Sequence, residues 1–426
     1  MSALHLPTLT EYSIPAGAAP PSMTRFGSDA LVEHYLRNVL KIQYILADPS
    51  IRNFIMPLAD HEPTYHAICF LSSVHRHRMG GALRIMADDE EAVHRDNTKR
   101  ALEVALNKSG GFSEGDAMAG LHCVSSYLFS GGRGPWEYFL NVARRWVSDI
   151  LRNPNHNQSL QGVLLNSGES TRFIIRTTMW FDVIASVSLC QTPHFLVEYR
   201  ELFGGQHAFI SGEGYGSPSF SMMSVMGCDN RTFLSLAEIS ALAEWKERQI
   251  RTGRLSAPEL VKRGQEIEKE LLNTFDTDSE CTQTFTNSEE ADLDARRRLT
   301  AEVFRASARV YLHSVLSGDY PACPEIAEGV RDTIAALKRV PADQPLSSRS
   351  VVRSVVFPIC IAGCLTDDKS QRQFLMAKLQ EQEAESVGNC SEVQNVIKSV
   401  WRERDRKRIA VSWRDVMKAN GPILLV

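Results

Sequence analysis

The chain has 426 residues, 43% of them hydrophobic and 23% charged, with a formal net charge of -4. This is globular composition, long enough for one large core or two ordinary ones, and the slightly acidic balance argues against a protein that coats nucleic acid or lies on a membrane surface. No apolar run reaches the ~20 residues that a membrane span needs, and the sequence does not open with the basic-then-apolar pattern of a secretory signal.

Residues 1–27, with Pro7, Pro15, Pro20 and Pro21 among Ala, Gly, Ser and Thr, are expected to form a disordered lead-in. From Ser28 the pattern turns helical: Ser28 or Asp29 can cap a segment whose Leu31, Tyr35, Val39 and Ile42 share one stripe. The spacing predicts helices over residues 64–79, ending at Gly80-Gly81, and over 91–107. The acidic cluster Asp88-Asp89-Glu90-Glu91 would then sit at the second helix's N-terminus, where negative charge is favoured. Further helices fit residues 117–129 and, after a glycine-rich turn, 136–151. The segment Phe173 to Leu189 is strongly apolar, with Trp180 and a lone Asp182 in its middle.

A Gly/Ser/Pro-rich loop over 204–218 precedes an amphipathic helix at 235–249 with Leu236, Ile239, Leu242 and Trp245 inward. Gly253 stops that helix, and Ser256, with Glu259 three residues later and Pro258 between, starts another to about Leu272, giving a helical hairpin. Residues 276–294 hold seven acidic side chains and no basic ones, and are expected to form an exposed or disordered loop. Helices follow over 296–316 and 325–339, then over 369–385, 391–407 and 412–417. Between them lies the most apolar stretch of all, Val351 to Leu365 (VVRSVVFPICIAGCL). It reads as a central helix packed on several sides, kinked or begun at Pro358, with Arg353 near one end. Trp413, Met417 and Ile423 to Val426 carry too much apolar surface for a free tail, which is expected to dock on the helical body.

No catalytic constellation emerges from the motifs. His61-Glu62-Pro63-Thr64-Tyr65-His66 has one residue too many between its histidines for a zinc-protease helix, and Pro63 disrupts the turn that would align them, so it reads as a loop leading into a helix. His75 and His77, two apart, read as part of a solvated basic cluster with Arg76 and Arg78. Gly212-Glu213-Gly214-Tyr215-Gly216 lacks the lysine and flanking elements of a phosphate loop. His122, Cys123, Cys360 and Cys364 sit in core-like surroundings, and Arg402 to Arg408 reads as a solvated helix end. Nine scattered cysteines, mostly in apolar contexts, point to a reducing compartment. No metal site and no cofactor site is indicated. Asp88 and Asp89 remain as the seed of one competing class, a helical enzyme binding a metal–diphosphate.

The runs LAEISALAEWKERQIRTGRLSAPELVKRGQEIEKEL, VYLHSVLSGDYPACPEI, VVRSVVFPICIAGCLTDDKSQRQFLMAKL, VWRERD and VSWRDVMKANGPILLV resemble, in order and spacing, the fungal-specific transcription factor domain. Upstream, LVEHYLRNVLKIQYILADPSIRNFIMPLA and TRFIIRTTMWFDVIASVSLCQTPHF fit the same family, so that the resemblance covers about residues 28–426. It implies an all-α fold, a large helical bundle or array of helical hairpins in essentially one unit, and a role in transcription in the nucleus, with the cytoplasm as a second location. Family members usually begin with a zinc cluster of six cysteines opening on Cys-x-x-Cys. Here the first cysteine is Cys69 and no Cys-x-x-Cys occurs, so the DNA-reading module is expected to be absent from this chain.

The expectation is a regulator that works by binding other transcription regulators, a DNA-binding partner protein or a small effector held between helices, with homo-oligomerisation left open. Trp180, Asp182, Trp245, Arg353 and Cys360 are the residues expected to line its interior.

Overall fold

The computed structural model describes residues 30–80, 84–152, 159–204, 218–272, 288–340, 347–383, 387–419 and 421–426. The lead-in over 1–27, the Gly212–Gly216 run and residues 276–287 of the acidic stretch lie outside the described residues. Ala30–His34 (α1) widens into a π-helical turn over Tyr35–Val39 and continues through Leu40–Gln43 (α2). A π turn carries more residues than an α turn, so Leu31, Tyr35 and Val39 are buried as one seam while Ile42 rotates to a half-buried position. Next come Arg52–Leu58 (α3), Glu62–Gly80 (α4), Arg84–Ser109 (α5), Glu114–Phe129 (α6) and Trp136–Leu151 (α7). At the start of α6 a reciprocal cap forms: the Asp116 N–H donates to Ser113 Oγ at 3.2 Å, and the Ser113 N–H to Asp116 Oδ2 at 2.8 Å.

The middle of the chain holds Leu160–Asn166 (α8), Glu169–Leu189 (α9), Leu196–Phe203 (α10), Met223–Met226 (α11), Asn230–Arg251 (α12) and Ala257–Leu272 (α13). Gly253 turns the α12–α13 hairpin at φ +65° and Ser256 Oγ accepts the Glu259 N–H at 3.4 Å, as the sequence led us to expect. The last third consists of Ser288–Ser317 (α14), Pro324–Lys338 (α15), Ser347–Ser354 (α16), Val356–Cys364 (α17), Lys369–Glu383 (α18), Cys390–Lys407 (α19) and Trp413–Lys418 (α20). Among the described residues there is no β-strand, and no helix is long and apolar enough to cross a membrane. The fold is all-α.

Helix α4 packs on α1, α5 and α6, and α6 in turn on α7 and α9. Helix α9 meets α12, which pairs with α13 and α14; α14 carries α15 and the α16–α17 segment, and α17 packs on α18 and α19. The buried cluster runs from Leu31 to Leu425 without a break between these groups.

Several expectations need correction. The central apolar stretch is two helices, broken at Val355 (φ -118°, ψ 32°) rather than begun at Pro358. The proline ring would clash with the carbonyl four residues back, Ser354, which is where α16 ends; in the first turn of α17 its missing N–H goes unneeded. The acidic cluster at 88–91 does not start a helix, because α5 begins at Arg84; the Asp88 and Asp89 side chains lie outside the description. Residues 288–294, expected as loop, form the first turns of α14, where Asp292–Arg296 (3.1 Å) and Asp294–Arg298 (2.6 Å) pair four apart. Arg404, expected solvated, is buried against the end of α17, donating to the Cys364 and Thr366 carbonyls at 2.7 and 2.9 Å and to Asp367 at 2.8 Å. That guanidinium closes the carbonyls which a helix leaves open at its C-terminus.

His75, also expected in solvent, is buried, with Nδ1 2.9 Å from His34 Nε2. Burial first, then the charges of His34, Arg353 and Lys41, push His75 down to about 4. Burial alone pushes His122 down to about 3, and neither of its ring nitrogens meets a partner among the described residues. In the unfolded chain both rings take a proton near pH 6.5, but the folded chain resists until far lower pH, so stability is lost as pH falls below 6.5. Each ring should contribute about 2 kcal/mol of that loss between pH 7 and pH 5. His122→Leu should shrink the loss by its own share in urea titrations at the two pH values. An unchanged loss would mean that His122 is charged within the fold.

Candidate functional site

Separated parts of the chain converge on one cavity of about 90 Å³. Its wall is mostly apolar: Ile42, Ile45 and Leu46 around α2, Leu128 and Phe129 at the end of α6, Val225 and Met226 of α11, Val356 of α17, Val387 before α19, and Val426. Polar groups enter through Gln43, Arg353, Ser354, Asn389 and the indole of Trp180. The Arg353 guanidinium lies over the Phe129 ring at 5.9 Å and donates to the Val387 carbonyl at 3.2 Å. Trp180 is fully buried, edge-on to Phe304 at 5.1 Å, and its indole N–H meets no acceptor among the described residues.

The tail closes one side. Ile423, Leu424 and Leu425 are buried, the Leu424 N–H donates to the Gly132 carbonyl at 2.9 Å, and Asn389 Nδ2 donates to the Leu424 carbonyl at 2.6 Å. Arg133 binds the Gly421 carbonyl and pairs with Glu392 at 2.9 Å. Gly132 sits at φ +79°, and a side chain there would press on Ile423 and the Leu424 carbonyl at 3.0 Å, so the tail's seat requires a glycine.

Of the five residues singled out from sequence, Trp180 and Arg353 share this cavity. Asp182 lies on the same helix as Trp180 but takes part in another arrangement. Its Oδ1 accepts from Arg144 Nε at 2.8 Å and the His194 N–H at 3.1 Å, and its Oδ2 from the Tyr199 hydroxyl at 2.8 Å and the Phe195 N–H at 3.3 Å. It ties α7, α9 and α10 together. Burial and the adjacent carboxylate drive the Tyr199 hydroxyl well above its ordinary range, so it remains a donor. Trp245 is half-buried on the α12–α13 hairpin, with the Arg263 guanidinium stacked at 4.6 Å. Arg263 also edges a shallower hollow of about 500 Å³ between α10, α12 and α13. Cys360 is wholly buried next to α17's other apolar side chains, away from the cavity. Among the described residues, no three His, Cys, Asp or Glu side chains are grouped to hold a metal ion. The sequence offered no signal for Phe129, Asn389 or Met226, since each looks like an ordinary helix-end residue until α6, α11 and the segment before α19 come together.

The described residues thus form an all-helical protein with a small, mostly apolar cavity. The chain belongs to the family described as the fungal specific transcription factor domain, which it matches over residues 30–426. It is 31% identical to the trichothecene biosynthesis transcription regulator TRI10 of Fusarium sporotrichioides, over 95% of this chain and 99% of that protein. Its identity to the regulator of the same name from Trichoderma arundinaceum is 23%, over 95% and 99% of the two chains. It is also 22% identical to the transcription factor ntnD of a Nectria species, over 89% of this chain and 63% of that longer protein. No solved structure matches the chain. The family and these relatives are transcription regulators, not enzymes, and this chain is a transcription regulator of the same kind.

Proposed function

We propose that the chain regulates transcription without reading DNA itself, acting in the nucleus through a DNA-binding partner protein and through a small effector held between its helices. The observation that carries this is the match to two transcription regulators over 99% of their length, in a stretch where no Cys-x-x-Cys of a zinc cluster occurs. The names of those relatives support a biosynthetic pathway as the thing regulated. Reading a duplex requires several Arg, Lys, Asn or Gln side chains on an element that enters a groove, beside charges that neutralise phosphates. The net charge of -4 does not favour such binding. Of the short basic runs, the one at Arg402–Arg408 has Arg404 buried, Arg406 and Lys407 paired with Glu403, and Asp405 bound to Arg372.

Selection of the purified chain against a random duplex library at physiological salt should return only weak, sequence-indifferent binding. A defined motif bound a thousandfold or more above unrelated DNA, the lower edge of real specificity at roughly 10³, would overturn the proposal.

A further inference from the structure

We infer that the closed end of the α12–α13 hairpin is a docking surface for a partner protein's acidic segment that carries large apolar side chains. This names the chemistry of the partner in the proposed function and rests on that reading. The end of the hairpin is fixed and stands clear of the body. The Arg254 N–H donates to the Gln249 carbonyl at 2.9 Å and the Gly253 N–H to the Ile250 carbonyl at 3.0 Å, the two bonds of a Schellman cap. Residues 251–258 are all exposed. A surface set in shape before binding loses little freedom when a partner settles on it.

Two features coincide there. Ile250, Leu255 and Val261 are 48%, 37% and 47% exposed, all within twelve residues that bracket the turn. A single exposed aliphatic side chain is ordinary, but three around one turn mark a contact surface. Charge is the second feature. Residues 248–263 hold Arg248, Arg251, Arg254, Lys262 and Arg263 against Glu259 alone, in a chain whose net charge is -4. Arg263 is held by Glu259 at 2.7 Å and by the Trp245 ring, and Arg248 lies 3.8 Å from Glu244. Arg251, Arg254 and Lys262 are exposed and meet no carboxylate among the described residues. An acidic partner answers these cations while its apolar side chains cover the aliphatic ones, and arginine beside apolar area is a composition that protein interfaces favour. A flexible acidic segment can wrap a projecting turn. A phosphate backbone has no use for three aliphatic side chains, and the exposed set lacks the Trp or Phe of an element that lies on a membrane.

The test titrates the full chain into a short fluorescein-labelled peptide of Asp and Glu with Leu or Phe at every third or fourth residue, read by fluorescence anisotropy. The dissociation constant should be on the order of 10 μM at low salt and weaken as salt screens the charges. A peptide with Lys for each acid, and one with Ser for each Leu and Phe, should each bind roughly tenfold more weakly or worse. The triple variant Arg251→Glu, Arg254→Glu, Lys262→Glu and the pair Ile250→Ser, Val261→Ser should each weaken the acidic peptide by a similar factor while melting with the unmodified chain. Equal binding of the three peptides to the unmodified chain, or none of the acidic one, would overturn the inference without any variant. Undiminished binding to the folded variants would overturn the site. Phosphatidylserine vesicles or random duplex DNA bound more tightly than the peptide, and lost in the triple variant, would overturn a protein as the partner. The DNA selection above contains no peptide. A selected motif there overturns the regulator proposal alone, whereas peptide failure beside sequence-indifferent DNA binding overturns this inference alone.

Discussion

Removing Val411 to Val426 should leave a chain that no longer folds cooperatively or stays in solution. Trp413, Met417, Ile423, Leu424 and Leu425 are each at most 1% exposed. At roughly 1.5–3 kcal/mol per buried large side chain, their gross contribution is on the order of 10 kcal/mol, comparable with the ~5–15 kcal/mol by which folded chains are stable at all. Ordering the segment offsets part of that. The loss is compounded on the other side of the contact, because the Gly132 carbonyl, Asn389 and Arg133 lose the tail backbone they bind. Soluble expression and thermal melting of the truncated chain provide the check, with Leu424→Ala as a milder version expected to cost about 2–5 kcal/mol. A truncated chain melting with the full one would show that the tail adds nothing to the core.

Most of this fold could be read from apolar spacing and caps. Helices α7 and α13 begin and end where periodicity, glycine turns and Ser256 placed them, and the docked tail followed from its apolar content alone. Short helices were missed. Helices α3, α8, α10 and α11 are of seven, seven, eight and four residues, too short for a 3.6-residue period to declare itself. Local sequence also could not tell how deep a polar residue lies. His75 and Arg404 each sit in a run of charged neighbours, yet the first is covered by α1 and the second caps α17 from a different helix. The cavity was legible only in fragments. Trp180 and Arg353 stand out as a large aromatic and a lone cation in apolar runs, but that they line one cavity depends on how α9 and α16 are placed by the rest of the fold.

Replacing Asp182 by alanine should be among the most damaging single changes in the molecule. Its carboxylate is wholly buried and paired with Arg144, whose side chain is only 13% exposed, at 2.7 Å. It also takes two backbone N–H groups and the Tyr199 hydroxyl. Alanine would leave a nearly buried guanidinium without its counter-charge and strip three further donors of their acceptor. Breaking a buried pair by removing one partner typically costs about 3–5 kcal/mol, because the other charge remains in low dielectric. The penalty lies in the unmatched charge more than in the lost attraction, and this gives the prediction its discriminating arm. In the double variant Arg144→Met with Asp182→Leu no charge is left stranded, so part of the stability should return, although the N–H groups of His194 and Phe195 and the Tyr199 hydroxyl still lack that acceptor. Urea unfolding of the wild type, Arg144→Met, Asp182→Leu and the double variant forms a complete cycle. A double variant as unstable as the two single losses added together would show that Asp182 and Arg144 act independently, and that Asp182 matters through its hold on the start of α10 alone.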